Sequence, residues 1–255
     1  MLGIIIQARV GSTRLPAKVL KLILGKTAIE RQIERVKRIK TKGKIILAIP
    51  ENKQDDILEK IGKKAGVLVF RGSENDVLDR FYQAAKKFHL KHIVRLTGDC
   101  PLIDWQVCQR LINFYLKNHF DYVSNVRPPT FPDGLDVEVF SFQALEKCWQ
   151  NAKLKSQREH VTLYIGQNIN LFKVANIVRK GKDLSALRFT LDEPKDLIFI
   201  RKIYRALYKK KKFFVLDDIL KLLKEKPQWL KINQNIKRNE GLLKSLREDN
   251  IILES

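Results

Sequence analysis

Cysteine is scarce in this chain: three in 255 residues, at Cys100, Cys108 and Cys148. An odd number without metal-ligand spacing argues against a disulfide framework or a cysteine metal site and fits a reducing cytoplasm. Long apolar runs are missing too. None reaches the ~18 residues of a membrane span, and the first residues lack the basic end and cleavage site of a signal peptide. A cytoplasmic protein without membrane insertion is therefore expected. Repeats and low-complexity segments are absent, and the Gly-x-Gly-x-x-Gly of a dinucleotide fold does not occur. Gly25-Lys26-Thr27 mimics the end of a Walker A loop, but Leu20 stands at its first glycine position, so it reads as a turn and helix start. Acidic residues are the last shortage: 28 Asp and Glu against 50 Lys and Arg leave a formal net charge of +22.

The hydrophobic fraction is ordinary at 44%, and the length suffices to bury a real core, so disorder is excluded. Short β-rich runs alternate with helical stripes. Leu2 to Gln7 is a continuous apolar run, as in a strand buried on both faces. Strands follow at 44–49, 67–70 and 92–96, separated by helices at 27–40, 54–65, 75–88 and 104–117, with Thr27 as the first N-cap. Such alternation implies a parallel sheet with helices on both faces. After Tyr122 the pattern becomes irregular. Three prolines and a glycine mark a loop over 127–134. Beyond it come a strand at 136–141, helices at 142–151 and 156–167, and strands at 171–178 and 186–191. Helices and a polar tail make up the chain from Pro194.

The charge is unevenly placed. Successive fifties carry +10, +2, −2 and +4, and the last 55 residues carry +8. The densest run, Lys209 to Lys212 beside Phe213 and Phe214, could serve as a single-strand binding patch. With no nucleic-acid motif beside it, it reads as the solvated end of a helix, and a nucleic-acid partner is not expected.

The N-terminal excess has more chemical content. In an open parallel sheet, ligands bind beyond the carboxyl ends of the strands, and Gln7-Ala8-Arg9-Val10-Gly11-Ser12-Thr13-Arg14-Leu15-Pro16-Ala17-Lys18 follows the first strand. Gly11 lets a ligand approach the backbone, Ser12 and Thr13 donate hydrogen bonds, and Arg9, Arg14 and Lys18 supply charge for a polyphosphate. Two further strand ends carry Asp99 and Asp192. Each could cap the helix after it, but Asp104 and Asp196 can do that equally well. Freed from capping, two carboxylates at strand ends suit a Mg²⁺ ion bridging onto a triphosphate.

Taken together, IIIQARVGSTRLPAKVL, VFRGSENDVLDRFYQAA, VRLTGDCPLID, PPTFPDGLDVEVFSFQAL, QREHVTLYI and LRFTLDEPKDL resemble the cytidylyltransferases of the spore-coat polysaccharide type. These form a branch of the sugar-acid (Kdo and acylneuraminate) cytidylyltransferases. The resemblance spans nearly the whole chain, and Ala17 departs from it where glycine is more usual. It implies a Rossmann-like, mostly parallel α/β fold of the nucleotide-diphospho-sugar transferase (GT-A-like) type over residues 1–199. Within it, 122–192 would be a sugar-binding and dimerisation insertion, and 200–255 a basic helical C-terminal extension. The implied reaction is Mg²⁺-dependent transfer of CMP from CTP to a sugar acid, with release of pyrophosphate, by a homodimer.

Residue by residue, the resemblance places Ala8, Arg9, Gly11, Ser12, Lys18, Arg71 and Ser73 at CTP. It puts Asp99 and Asp192 on the metal, and Lys18, Arg9 and Asp99 in catalysis. Asp133, Asp136, Arg158, Glu159 and His160 fall where the sugar is expected. A glycosyltransferase of the same general fold is the nearest alternative, although Gly98-Asp99-Cys100-Pro101 offers one aspartate where such enzymes carry Asp-x-Asp.

Overall fold

The computed structural model describes residues 1–254, with side chains through Asp249. Its frame is a seven-stranded sheet in the order β5-β4-β1-β6-β8-β7-β9. These strands are β1 (Leu2–Gln7), β4 (Lys44–Pro50), β5 (Leu68–Gly72), β6 (His92–Thr97), β7 (Tyr122–Ser124), β8 (Glu138–Ser141) and β9 (Val174–Asn176). Leu22–Ile23 and Lys26–Thr27 form a separate hairpin, β2 and β3. Only β8 runs against the others in the main sheet.

Period-two alternation decides which layer each side chain joins. Ile4 and Ile6 of β1 enter one core with α1 (Ala28–Val36), α4 (Trp105–Lys117), α8 (Pro194–Leu207) and α9 (Leu216–Glu225). Ile5 points to the other face, with α3 (Val77–Lys87) and α5 (Phe142–Asn151). Helix α2 (Asp56–Lys64) covers β4 and β5, and α6 (Lys155–Glu159), α7 (Leu163–Gln167) and α10 (Glu240–Glu254) complete the chain. None of the described helices is long and apolar enough to cross a membrane.

Helix α1 starts as expected: Thr27 Oγ1 accepts from Glu30 N–H at 3.3 Å while the Glu30 carboxylate accepts from Thr27 N–H at 2.8 Å. It stops at Val36, short of Lys40, because tight turns drop Ile39 into the core. The helix expected over 156–167 is two short ones. Val161 between them has φ +48° and is buried, and Thr162 turns to donate to the Glu138 carboxylate at 2.6 Å.

The strand expected over 171–178 shrinks to β9, and 186–191 forms no strand, only a single bridge between Arg188 and Asp133. Phe189 and Leu191 are fully buried there. Their alternation recorded burial, while the neighbour needed for a ladder is a loop. The lysine run 209–212 is exposed on the turn after α8, with Phe214 buried beneath it. Arg35 donates to Phe214 C=O at 2.7 Å and Ile103 C=O at 2.6 Å, which locks this C-terminal region onto α1.

Candidate active site

Strand β1 connects to β4 on one side of the sheet, and β6 lies on its other side. The carboxyl ends of β1 and β6 thus diverge into a crevice, the topological switch point of an open sheet. A cleft of about 640 Å³ opens there, floored by Gln7, Ala8, Thr97, Gly98 and Asp99. Gly98 permits the closeness of the two strand ends. Its N–H donates to Gln7 C=O at 2.7 Å, and a Cβ on it would stand 2.8 Å from both that oxygen and the Ala8 Cβ.

The loop after β1 curls over this floor, so Arg9, Gly11, Ser12, Arg14 and Lys18 all line the cleft. Ala17 takes φ +52° to turn the chain into Lys18, a left-handed conformation that glycine adopts without strain.

Lys18 is the centre of the site. Its ammonium donates to Asp99 Oδ2 at 2.7 Å and to Asp192 Oδ1 at 2.6 Å. Burial disfavours the charged lysine, but the two carboxylates outweigh it and raise the pKa well above the ordinary lysine range. Burial likewise opposes ionisation of Asp99, and the Lys18 charge overcomes it, holding that carboxyl far below the usual range.

Capping falls to the neighbouring acids. Asp104 accepts from Gln106 N–H at 2.7 Å, and Asp196 from Glu193 N–H at 2.9 Å. Asp99 and Asp192 remain free to face a cation. Among the described residues no third His, Cys, Asp or Glu joins them as a metal cluster. Two hard carboxylate oxygens converging on one point do fit Mg²⁺ when phosphate oxygens and water complete its six ligands.

Asp192 is held from behind. Arg188, almost wholly buried, reaches Asp192 at 3.1 Å, Asp133 at 2.9 Å and Asp196 at 3.0 Å. Arg238 joins Asp133 to Asp136. Burial pushes the Asp136 carboxyl up to about 7 even beside Arg238. Asp133 and Asp136 therefore belong to an ionic layer behind the cleft and do not line it.

Of the other residues singled out, Glu159 and His160 line the cleft. Arg71, Ser73 and Arg158 do not. Arg71 is engaged by Asp56 at 2.6 Å and Glu59 at 2.9 Å, and Ser73 Oγ accepts from Asp76 N–H at 3.1 Å. Arg158 is taken by Asp76 and by Trp149 C=O at 2.7 Å, tying α6 to the start of α3.

Three contributors escaped the sequence reading. Arg80 lines the cleft from α3 while only 2% exposed, its Nε without a hydrogen-bond partner among the described residues. Burial, and then the neighbouring Arg9, lowers it to about 10, which still leaves a cation at neutral pH. A charged residue inside the stripe Val77, Leu78, Phe81, Tyr82 was the available signal. Arg95, a charge inside β6, pairs with buried Glu138, which Tyr122 and Thr162 also donate to at 2.6 Å. The third is α10, whose Glu240, Gly241, Lys244, Ser245 and Glu248 form part of the cleft wall. No motif marks it in the sequence.

Comparison with known proteins gives a family match and several relatives. A family model described as "Cytidylyltransferase" matches residues 3–232. An uncharacterized protein of Methanocaldococcus jannaschii is 42% identical over 96% of this chain and 97% of its own. The spore coat polysaccharide biosynthesis protein SpsF of Bacillus subtilis is 33% identical over 79% of this chain and 85% of its own. Among solved structures, a cytidylyltransferase from Leptospira borgpetersenii superimposes with a TM-score of 0.87 at 35% identity, covering 93% of this chain and 98% of that one.

Proposed function

The chain belongs to the cytidylyltransferase family, and on that premise we propose that it transfers CMP from CTP to a sugar acid, releasing pyrophosphate, in surface polysaccharide synthesis. The observation that carries this reading is the meeting of the phosphate loop with Asp99 and Asp192 around Lys18, at the switch point of the sheet.

The chemical problem is attack by a weakly nucleophilic hydroxyl on the α-phosphorus of a tetra-anion, so positioning and charge neutralisation dominate. Arg9, Arg80 and Lys18 offset the triphosphate and the leaving pyrophosphate, while Ser12 and the backbone at Gly11 complete the cradle. Asp99 and Asp192 would hold Mg²⁺, which when bound neutralises phosphate charge and polarises the phosphoryl oxygens. Lys18, already between these carboxylates, favours the ionised form of Asp99 and holds both side chains in register.

A pyrophosphate-release screen crossing the four nucleoside triphosphates with a panel of sugar acids and Mg²⁺ tests this reading. Release only with CTP and an acid together is expected. Release without any acid, or consumption of a preformed nucleotide sugar in its place, would overturn it.

The reading includes a homodimer formed through the second half of the chain. Its support is an apolar rim at the open edge of the sheet: Ile169, Leu171, Val174 and Val178, each at least 36% exposed on or beside β9. Sedimentation should report a dimer that Val174→Lys dissociates, and a monomeric wild type refutes it. A reducing cytoplasm is supported by the three cysteines, which are free and buried.

A further inference from the structure

Helix α10 lies outside the residues that the family model matches, yet residues Glu240 to Glu248 of it form part of the cleft wall. At the phosphate-loop end, Arg14 pairs with Glu240 at 3.3 Å. At the other end Ser245 Oγ meets His160 Nε2 at 3.0 Å and donates to Glu159 at 3.1 Å, and Ser156 N–H donates to Asp249 at 3.2 Å. The stripe that α10 turns inward is polar, at spacings of one helical face. A helix recruited only to bury apolar surface would present the reverse.

The cations of the cleft fall into two groups. Arg9, Arg14, Lys18, Arg80 and Arg95 sit with the phosphate loop, α3 and the strand ends, Arg95 being paired with Glu138. On α6 and α10, the lining cations are Lys155 and Lys244. Neither ammonium makes a hydrogen bond among the described residues. Both approach Glu248, one at each carboxylate oxygen, at 3.7 Å and 3.8 Å. A carboxylate thus already stands between two exposed ammonium groups at the cleft wall.

The alternatives on this wall are spent. Arg158 is committed to Asp76. His160 Nε2 is already turned to Ser245 Oγ, and burial, against a weaker opposing pull from Glu159, depresses its pKa below the ordinary value.

We propose that α10 is the acceptor-side wall of the cleft and that Lys155 and Lys244 receive the carboxylate of the incoming sugar acid, displacing Glu248. This rests on the cytidylyl-transfer reading above. It makes the two lysines determinants of acceptor specificity, with no part in nucleotide binding.

The test is steady-state kinetics of the full-length Lys155→Ala/Lys244→Ala and Glu248→Gln proteins, with CTP, Mg²⁺ and either 3-deoxy-manno-octulosonate or N-acetylneuraminate, whichever the wild type uses. Loss of charge-assisted hydrogen bonds should raise the acceptor KM about tenfold in the double variant, with the KM for CTP unchanged. Glu248→Gln should lower the acceptor KM. The methyl ester of the acid should be a poor acceptor for wild type, and the double variant should no longer distinguish ester from acid. An unchanged acceptor KM, or discrimination against the ester that survives, overturns this inference alone. A wild type that releases no pyrophosphate from CTP with these or any other sugar acid of the panel overturns the cytidylyl-transfer reading and this inference with it.

Discussion

Asn in place of Asp99 is expected to cut turnover at saturating Mg²⁺ at least about 100-fold, a loss of ~3 kcal/mol of transition-state stabilisation. The amide is isosteric, so the strand end and the bond from Leu191 N–H to the residue 99 carbonyl should persist. What disappears is one of the two charges that grip Lys18 and would hold a divalent ion. Lys18→Ala should both lower turnover and raise the KM for CTP, while the carboxylates remain. The carboxyl of Asp99 is held below its unfolded value, so it contributes stability above that value, and the contribution is lost as pH falls through the folded one. The stability gap between wild type and Asp99→Asn should therefore narrow below about pH 4. Near wild-type turnover of the variant at high Mg²⁺ would remove Asp99 from the chemistry.

The second large effect concerns folding. Arg188→Ala should cost about 3–5 kcal/mol, since it strips the charged partner from Asp196, which has no solvent exposure, and one of the cations from each of Asp133 and Asp192. At roughly 2–4 °C per kcal/mol for a chain near this size, the melting temperature should fall by about 6–20 °C. Arg188→Lys should recover only a fraction, because one ammonium cannot reach three carboxylates in the planar fork that guanidinium offers. Denaturant titration measures this directly. A loss below about 1 kcal/mol would mean the ionic layer behind the cleft contributes little to holding Asp192 in place.

Several parts of the molecule were legible in one dimension because their causes are local. The apolar run of β1, the capping box at Thr27 and the Gly11-Ser12-Thr13 loop each depend on residues within a few positions of one another. The alternation from β1 to α4 was as clear, since each element shows its own buried face. Legibility failed where a partner was needed. Residues 186–191 alternate like a strand but meet a loop, and 156–167 shows a helical stripe that Val161 interrupts for the sake of the core. Arg71 and Arg158 pair with Asp56, Glu59 and Asp76, partners at least 12 positions away that no local pattern shows.

By itself, the sequence determined the chemistry available: a cationic loop after a buried strand, aspartates spare of capping duty, and cysteines without a metal spacing. Tertiary structure alone decided which charges meet. Asp99 and Asp192 lie 81 and 174 residues from Lys18, yet both close on its ammonium. The same holds for the positive C-terminus, whose last helix became a wall of the cleft. Side-chain periodicity records how deeply a residue is buried. It carries nothing about which distant segment shares that burial, because that is set by strand order and crossover connections.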